Sequence, residues 1–293
     1  MATSVMVSTT KAQQSRIVGR IVTYGYMTVL GAIFIFPFFW TFASSFKSAA
    51  DVYVYPPIWI PAILRWQNYP DVFHLVPYTT WFLNSVVVVV TLNTTGVVIS
   101  GALVAYSFGR FRYPGREVLF IITLATMMLP AEVLLIPTYL LFKYIHWLNT
   151  LKPLWVPAWF GGGAFNIFLL RQFILSLPRD LDEAAIVDGA SYVRILRSIL
   201  LPLMKPVLAT VAIINFIFGW NAFLGPLVYL TSPRNFTLAV GLRYFDVTPN
   251  QPGVPELQFL MAAVVMGTAP IVIIFFFAQR YFIEGVVLSG IKG

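Results

Sequence analysis

The sequence predicts an all-α, polytopic membrane protein with six transmembrane helices. Of its 293 residues, 59% are hydrophobic and 10% are charged, whereas soluble domains contain about 45–50% apolar and about 25% charged residues. Six stretches are almost free of Asp, Glu, Lys and Arg, and each is long enough for a helix to cross the hydrocarbon core, which takes about 20 residues. A helix satisfies its own backbone hydrogen bonds where water is absent. Disorder and a disulfide-stabilised fold are excluded, because the chain is rich in aromatic residues and has no cysteine.

The six predicted spans follow a polar leader, residues 1–20, and are joined by short connections. The first stretch is too long for the apolar region of a signal peptide, so we interpret it as a retained helix. The transmembrane domain is predicted over residues 21–283, followed by a tail over residues 284–293. Little chain remains for a soluble catalytic domain, so any energy source is expected on another polypeptide. The predicted spans are residues 21–46, 81–109, 118–142, 153–176, 203–231 and 257–280.

Lys and Arg fall mostly on one side of this predicted topology. Thirteen of the 19 basic residues lie in the leader, in the second and fourth connections, and in the C-terminal region. Six spans place both termini on the same side, and the positive-inside rule makes that side the cytoplasm. The net charge of +8 is explained by topology. Because these charges are dispersed over four segments, nucleic-acid binding is not expected.

One predicted cytoplasmic segment, residues 178–202, has the pattern of a structured protrusion. Asp180 stands three residues before Glu183, as in a capping box, so a short helix is expected to begin here. Gly189 can adopt the left-handed conformation that ends this helix, and Ser191 can cap a second one. The segment is therefore predicted to be a helix, a glycine turn and a second helix that leads into the fifth span.

The protrusion also offers a surface to a partner. Ala184 and Ala185 form a surface that another backbone can approach closely, and Glu183 can pair with a basic residue of that partner. In the second helix, Val193, Leu196 and Leu200 are expected to share one apolar face, while Arg194 and Arg197 lie nearer the cytosol. The alternative is an amphipathic segment that lies on the inner leaflet. The clustered acids of the first helix argue against it, because an anionic leaflet repels them.

The residues of this segment carry a family resemblance. The pattern Glu183-Ala184-Ala185, then Gly189 after three residues, then Ile199 and Leu201-Pro202 resembles the EAA signature of permease subunits in binding-protein-dependent ABC importers. Three other stretches are similar to the MalG-type subunit of carbohydrate importers: residues 165–173, residues 219–221, and residues 279–280 with the short tail that follows.

The resemblance implies a type I ABC importer permease fold in the cytoplasmic (inner) membrane of a bacterium or archaeon, with residues 178–202 as the coupling segment. The implied partners are a second homologous permease, two ATPase subunits (a homo- or heterodimer), an extracytoplasmic solute-binding protein, a carbohydrate-like substrate and the lipid bilayer. No cofactor is implied on this chain, because ATP and Mg²⁺ would be bound by the ATPase subunits. The residues that it assigns to contact with the ATPases are Glu183, Ala184, Ala185, Asp188 and Gly189 in the coupling segment, and Glu284, Gly285 and Lys292 in the tail.

Candidate chemistry within the chain is sparse, so an enzyme is not expected and no catalytic residue is assigned. Residues 285–292 approach the spacing of a phosphate-binding loop but lack Lys directly after the second glycine. His74 and His146 fall in separate outer segments, without cysteine or a carboxylate pair nearby, so no metal site is expected.

Five polar or aromatic residues within the spans are candidates for a substrate path: Glu132, Asn166, Asn215, Trp220 and Asn221. An indole ring such as that of Trp220 could stack on the apolar face of a sugar. Hydrogen bonding and packing between helices explains each of them equally well. For Glu132, an ionisable group inside a span, a bond to an opposing span or to backbone freed by nearby prolines is favoured over substrate binding.

Two other functions are compatible with a polytopic helical chain. An ion-coupled secondary transporter would need several intramembrane ionisable residues and usually an internal repeat, whereas the spans hold Glu132 alone. A membrane enzyme acting on lipid-linked substrates would need carboxylates or histidines clustered at one interface, but the acidic cluster here has the EAA spacing. The leading function is therefore the permease of an ABC importer for a sugar, oligosaccharide or related polyol phosphate.

Overall fold

A computed structural model describes the backbone of residues 2–247 and 257–290 and the side chains of residues 19–243, 245 and 257–277. All regular secondary structure in these residues is helical, which confirms the predicted class. The α-helices are α1 (Ala2–Ser44), α2 (Ala49–Val52), α3 (Asn68–Leu75), α4 (Tyr78–Ser85), α5 (Thr95–Arg110), α6 (Arg116–Ala125), α7 (Ala131–Tyr144), α8 (Lys152–Trp155), α9 (Ala164–Ser176), α10 (Asp180–Val187), α11 (Tyr192–Ile195), α12 (Leu201–Leu203), α13 (Lys205–Trp220), α14 (Leu224–Tyr229), α15 (Leu238–Val247) and α16 (Leu257–Gly290). Short π-helical segments are Val86–Thr94 and Leu196–Leu200, and 3₁₀ segments are Thr126–Met128, Val156–Trp159 and Pro233–Asn235.

Four helical stretches of the described chain are long and apolar enough to cross a membrane, and the number rises to six if each of two bent helix pairs is one span. Six is the number that the sequence predicts. The four single stretches are Gly19–Ser44, Tyr78–Arg110, Lys152–Ser176, which is not helical between Trp159 and Ala164, and Leu257–Phe277. The bent pairs are Arg116–Met128 with Ala131–Tyr144, and Tyr192–Leu203 with Lys205–Trp220.

Prolines stand at both bends. Leu129 is extended, with φ −84° and ψ 116°, because a residue that precedes a proline, here Pro130, avoids the helical region. The two helices of this pair are bent relative to each other by 102° at this break. In the second pair, which is bent by 77°, Pro206 lies in the first turn of α13, where its missing N–H leaves no helical hydrogen bond unmade.

The structure therefore differs from two of the predicted spans. The third, residues 118–142, is interrupted at Pro130. The fifth, residues 203–231, ends as a helix at Trp220, and α14 is a separate short helix. The side-chain amide of Asn221 donates to the carbonyl of Ile217 at 2.8 Å, and a side chain that bonds to the backbone in this way competes with continuation of the helix.

Contacts divide the chain into two compact units. Among the described residues, the first unit holds residues 2–72 and 257–265, and the second holds residues 73–247 and 266–290. In the unit that includes α1, most apolar side chains between Ile21 and Phe42 are exposed, in the stretch that could span a membrane. Just after α1, Lys47 is fully buried, with its Nζ 3.0 Å from Ser44 Oγ and 3.7 Å from the centre of the Trp40 ring. Burial lowers the pKa of this ammonium group, although Asp51 opposes the shift.

The other unit, which includes α4 to α15, has its main core between α5, α9 and the residues around α11 to α13. Leu170 and Ile174 of α9, Leu200 and Val211 are fully buried in it. Gly109 allows α5 and α9 to approach closely, because a Cβ at this position would lie 2.8 Å from the Cγ2 of Ile174. The core continues from the spans into residues 185–204, so the predicted protrusion is packed on the membrane helices.

Candidate coupling site

The first helix of the predicted coupling segment is α10, and its start is offset from the prediction by one residue. Its N-cap is Arg179, whose side chain makes no capping bond. The expected capping box of Asp180 and Glu183 is therefore wrong, because Asp180 is already the first helical residue. Asp180, Asp182 and Glu183 all lie in the first turn instead, where negative charge is stabilised by the positive end of the helix dipole.

The turn after α10 has the predicted geometry. Gly189 has φ +77°, and the N–H of Ala190 donates to the carbonyl of Ala185 at 2.9 Å, as in a left-handed helix C-terminus. Ser191 is the N-cap of α11, and its Oγ accepts a bond from the N–H of Arg194 at 3.4 Å. The glycine turn and the serine cap are thus confirmed.

The two alanines of the EAA pattern point in opposite directions. Ala184 is exposed together with Glu183, Asp188 and Gly189, whereas Ala185 is only 7% exposed and belongs to the core. The expectation that both alanines form an outer surface is therefore wrong for Ala185. Neighbouring residues one position apart on a helix cannot share a face, because each step turns by about 100°.

The apolar face of the second helix matches the expectation in part. Leu196 and Leu200 are buried as expected, whereas Val193 is 74% exposed and Ile195 is buried instead. The π-helical segment Leu196–Leu200 begins directly after α11, and its wider turn shifts the register of the side chains that follow. The expectation is therefore confirmed for Leu196 and Leu200 and wrong for Val193, which lies before this segment.

Arg110, at the end of α5, fixes α10 to the membrane helices. Its Nε lies 2.6 Å from Oδ2 of Asp182, and the two side chains are only 5% and 14% exposed. Its Nη2 also donates to the carbonyls of Leu177 and Pro178, at 3.1 and 3.4 Å. Burial raises the pKa of Asp182 above its ordinary value, against the lowering effect of the Arg110 and Arg179 charges. This contact of Arg110 was not predicted from the sequence, where the residue served only as a topology signal.

An aromatic contact holds the second half of the segment. The hydroxyl of Tyr106 donates to the carbonyl of Tyr192 at 3.2 Å. The ring of Phe111 lies 5.0 Å from that of Tyr106 and 5.1 Å from that of Tyr192, measured between ring centres. Beside these rings is a cleft of about 560 Å³ that Glu183 and Ile186 also line. The end of α5 thus contacts both helices of the coupling segment.

The apolar tip of α10 was also not predicted from the sequence. Ile186 and Val187 are 49% and 86% exposed, next to Asp188 and Gly189. The signal was available in the sequence, since two aliphatic residues stand immediately before the acid and the glycine. Exposed aliphatic side chains beside acidic ones give α10 a mixed surface of the kind that protein interfaces use.

The structure brings together two of the residues proposed for a substrate path. Asn166 of α9 and Asn215 of α13 exchange side-chain hydrogen bonds of 3.3 and 3.0 Å. Trp220 is buried, and its Nε1 donates to the carbonyl of Gly267 at 3.2 Å. Asn221 is exposed at the end of α13, and Glu132 is exposed in the first turn of α7. A role of these residues along a path stays a prediction.

The predicted tail contact lies largely beyond what the structure describes. Glu284 and Gly285 fall on the backbone of α16, but the side chain of Glu284 is outside the described set. Lys292 lies outside the described residues altogether. Contact of the tail with an ATPase stays a prediction.

A family model described as "Binding-protein-dependent transport system inner membrane component" matches residues 98–287. The chain belongs to this family. The match begins within α5 and includes the whole coupling segment with Arg110, so the resemblance drawn from the EAA pattern is confirmed.

Three relatives within this family are similar along nearly the whole chain. The arabinooligosaccharides transport system permease protein AraQ of Halalkalibacterium halodurans is 34% identical over 286 residues, covering 97% of this chain and 100% of AraQ. The maltodextrin transport system permease protein MdxG of Bacillus subtilis is 32% identical, covering 96% and 99%. The sn-glycerol-3-phosphate transport system permease protein UgpE of Yersinia pestis is 32% identical, covering 90% and 94%.

A solved structure has the same fold. It is the crystal structure of a bacterial ABC transporter involved in the import of the acidic polysaccharide alginate. One of its chains aligns with a TM-score of 0.78 and 26% identity, over 91% of this chain and 97% of that chain. The type I importer fold expected for this family member is thereby confirmed.

Proposed function

We propose that this chain is the translocation subunit of an ABC importer for a sugar, an oligosaccharide or a related polyol phosphate. Its relatives are named for arabinooligosaccharides, maltodextrin and sn-glycerol-3-phosphate, which supports this range of solutes. A second homologous permease would complete the path, and an extracytoplasmic binding protein would deliver the solute. Both termini would face the cytoplasm of a bacterial or archaeal cell.

The observation that carries the proposal is that α10 is packed on the membrane helices on one side and exposed on the other. Its outer side is open to a partner through Glu183, Ala184 and Asp188, while Ala185 and the ion pair of Asp182 with Arg110 hold its inner side. A surface that is exposed at its tip and fixed at its base can both dock a partner and pass on the partner's movement.

The proposed mechanism follows from this packing of α10 on the membrane helices. ATP binding would close the pair of ATPase subunits and draw the docked helices together. Because α10 is joined to α5 by Arg110 and to α11 by the shared core, its displacement would move the spans as packed bodies. ATP and Mg²⁺ would be held by the partner chains, and this chain would carry out no chemical step.

The proposal is tested by Ala184→Leu and Glu183→Ala in the transporter reconstituted into vesicles with its partner subunits. Both residues are exposed, so folding is expected to be unchanged, whereas docking on the ATPase should be blocked and ATP-driven uptake lost. Arg234→Ala, which removes an exposed side chain outside the coupling segment, is the matched control. Normal uptake by both coupling variants would contradict the proposal. Uptake driven by an ion gradient without ATPase subunits would favour the secondary transporter.

The solute class is tested separately. Candidate solutes are added one at a time with the binding protein, and the ATPase activity of the assembled transporter is measured. Stimulation by a sugar, oligosaccharide or polyol phosphate is expected. Stimulation only by an amino acid, peptide or metal ion would refute the proposed class and leave the coupling role intact.

A further inference from the structure

A cleft of about 440 Å³ lies between the start of α6 and the residue that precedes α10. Three arginines, Arg112, Arg116 and Arg179, stand on its walls together with Glu117 and Val118. These residues come from two segments that are more than 60 positions apart in the sequence, so the fold assembles the cluster. We refer to it as the α6 cleft.

The charge of the α6 cleft is unbalanced. Glu117 is engaged by Arg116, with an Nε distance of 3.0 Å, and by Arg171, with an Nη2 distance of 3.3 Å. The guanidinium groups of Arg112 and Arg179 are exposed, and within the described residues neither forms an ion pair or a side-chain hydrogen bond. Arg179 lies near enough to Asp182 to lower its pKa, but that carboxylate is held by Arg110. Two cationic groups are thus available to an anion from outside the chain.

An apolar surface starts where the charged cleft ends. Val118, Leu119, Ile121 and Ile122 of α6 are 50–63% exposed, and α6 is part of a bent pair that is apolar enough to cross a membrane. Arginines at the end of an apolar helix face match the headgroup level of a bilayer, where anionic lipids attract basic side chains. A soluble anion would fill only the charged half of this arrangement.

We propose that the α6 cleft binds the phosphate group of an anionic lipid. Arg112 and Arg179 contact the phosphate, and the acyl chains lie along the exposed face of α6. Arg116 borders the site but is already bonded to Glu117 and to the carbonyl of Phe111 at 2.9 Å, so it contributes less. The shared chemistry is that of a phosphate group, and the continuous apolar face favours a lipid over inorganic phosphate as its source.

The test measures lipid retained by the full-length chain, both alone and in its assembled transporter. The proteins are purified in mild detergent, delipidated and titrated with phosphatidylglycerol or phosphatidylcholine, and bound lipid is counted by native mass spectrometry. Each basic side chain near an anionic surface is worth roughly a fivefold change in affinity. Arg112→Ala and Arg179→Ala should therefore each weaken phosphatidylglycerol retention about fivefold, and the double variant about 25-fold.

Matched variants separate this site from general charge effects. The double variant Arg112→Lys with Arg179→Lys should retain most of the lipid binding. Arg197→Ala, which removes an exposed arginine that does not line the cleft, should leave lipid binding unchanged. Equal loss with Arg197→Ala, or no loss in the double Ala variant, would overturn the proposal. If the cleft binds inorganic phosphate through these arginines but retains no lipid, the proposal that the phosphate group belongs to a lipid would be overturned. Retention by the isolated chain that disappears on assembly would instead assign the cleft to an acidic segment of a partner.

Discussion

Removing the cationic partner of Asp182 should loosen α10 without unfolding the membrane helices. The change is Arg110→Met, which keeps an aliphatic stem but deletes the guanidinium group that lies 2.6 Å from Asp182 and bonds to the carbonyls of Leu177 and Pro178. Asp182 then remains as a carboxylate with little access to water.

The expected effect follows from the burial of the pair. Breaking a buried ion pair by removal of one partner costs about 3–5 kcal/mol. The Asp182 side chain is 14% exposed, so water replaces part of the lost interaction. We therefore expect the free energy of local opening of α10 to fall by about 2–3 kcal/mol. At 1.4 kcal/mol for each factor of ten, the backbone amides of α10 should exchange hydrogen about 30- to 150-fold faster.

The assay is hydrogen exchange of the reconstituted transporter, with uptake and ATP hydrolysis measured on the same samples. Arg110→Met should speed exchange in α10 but not in α9, and should lower the amount of solute imported per ATP hydrolysed. The double variant Arg110→Met with Asp182→Asn should exchange more slowly than the single variant, because no unpaired charge remains.

Acidity should act on the single variant in a defined direction. Burial already raises the pKa of Asp182, and loss of the opposing Arg110 charge raises it further. The unpaired carboxylate destabilises α10 above its pKa, so the destabilisation should diminish as the pH falls from neutral through that value. Unchanged exchange in α10 and an unchanged ratio of uptake to hydrolysis would refute the role given to Arg110.

Three further predictions concern stability. Gly189→Ala should lower the free energy of unfolding by about 1–2 kcal/mol, and the left-handed φ of +77° is the only cause because a Cβ there meets open space. Gly189→Asn should lower it by less. Thermal unfolding in detergent measures both losses, and equal losses would contradict the backbone explanation. Gly162→Ala should cost about 3 kcal/mol or more, since its φ is +70° and a Cβ would lie 2.6 Å from the carbonyl oxygen of Val97; a wild-type melting temperature would show that this approach is not required. Asn166→Leu should cost about 1 kcal/mol by leaving the amide oxygen of Asn215 without its partner, and adding Asn215→Leu should cost no more. If these two leave stability unchanged but raise the apparent KM for the solute, the amides belong to the substrate path instead.

Composition and charge could predict the membrane helices because each span must be apolar whatever its neighbours are. The bends could not be predicted in the same way. A proline such as Pro130 marks where a helix can break, but its angle of 102° depends on what packs against each half. The end of α13 at Asn221 could not be predicted either, since an Asn side-chain amide can end a helix or lie within it according to which carbonyl it bonds to.

The candidate site was predictable where local geometry decides, and not where packing decides. Gly189 and Ser191 act through their own backbone, so their roles could be inferred from residue type alone. The inward direction of Ala185 and the pairing of Arg110 depend on α5 and the core, which are distant in sequence. Helix α10 is only eight residues long and ends in four consecutive apolar residues, Ala184–Val187, so its sequence pattern does not identify the buried side.

Ala184 and Ala185 have different surroundings in the coupling segment, so we expect their small size to serve two different purposes. An isolated helix of eight residues is not stable in water, so α10 depends on its contacts with the rest of the chain. Ala185 lets α10 approach the core that holds Ile195, where a longer side chain would force it away. Ala184 leaves room on the opposite side, beside the exposed Ile186 and Val187. Those two aliphatic side chains are exposed in this chain, and docking of a partner would remove their apolar surface from water. The segment is therefore packed on one side by its own chain and completed on the other by whatever it couples to.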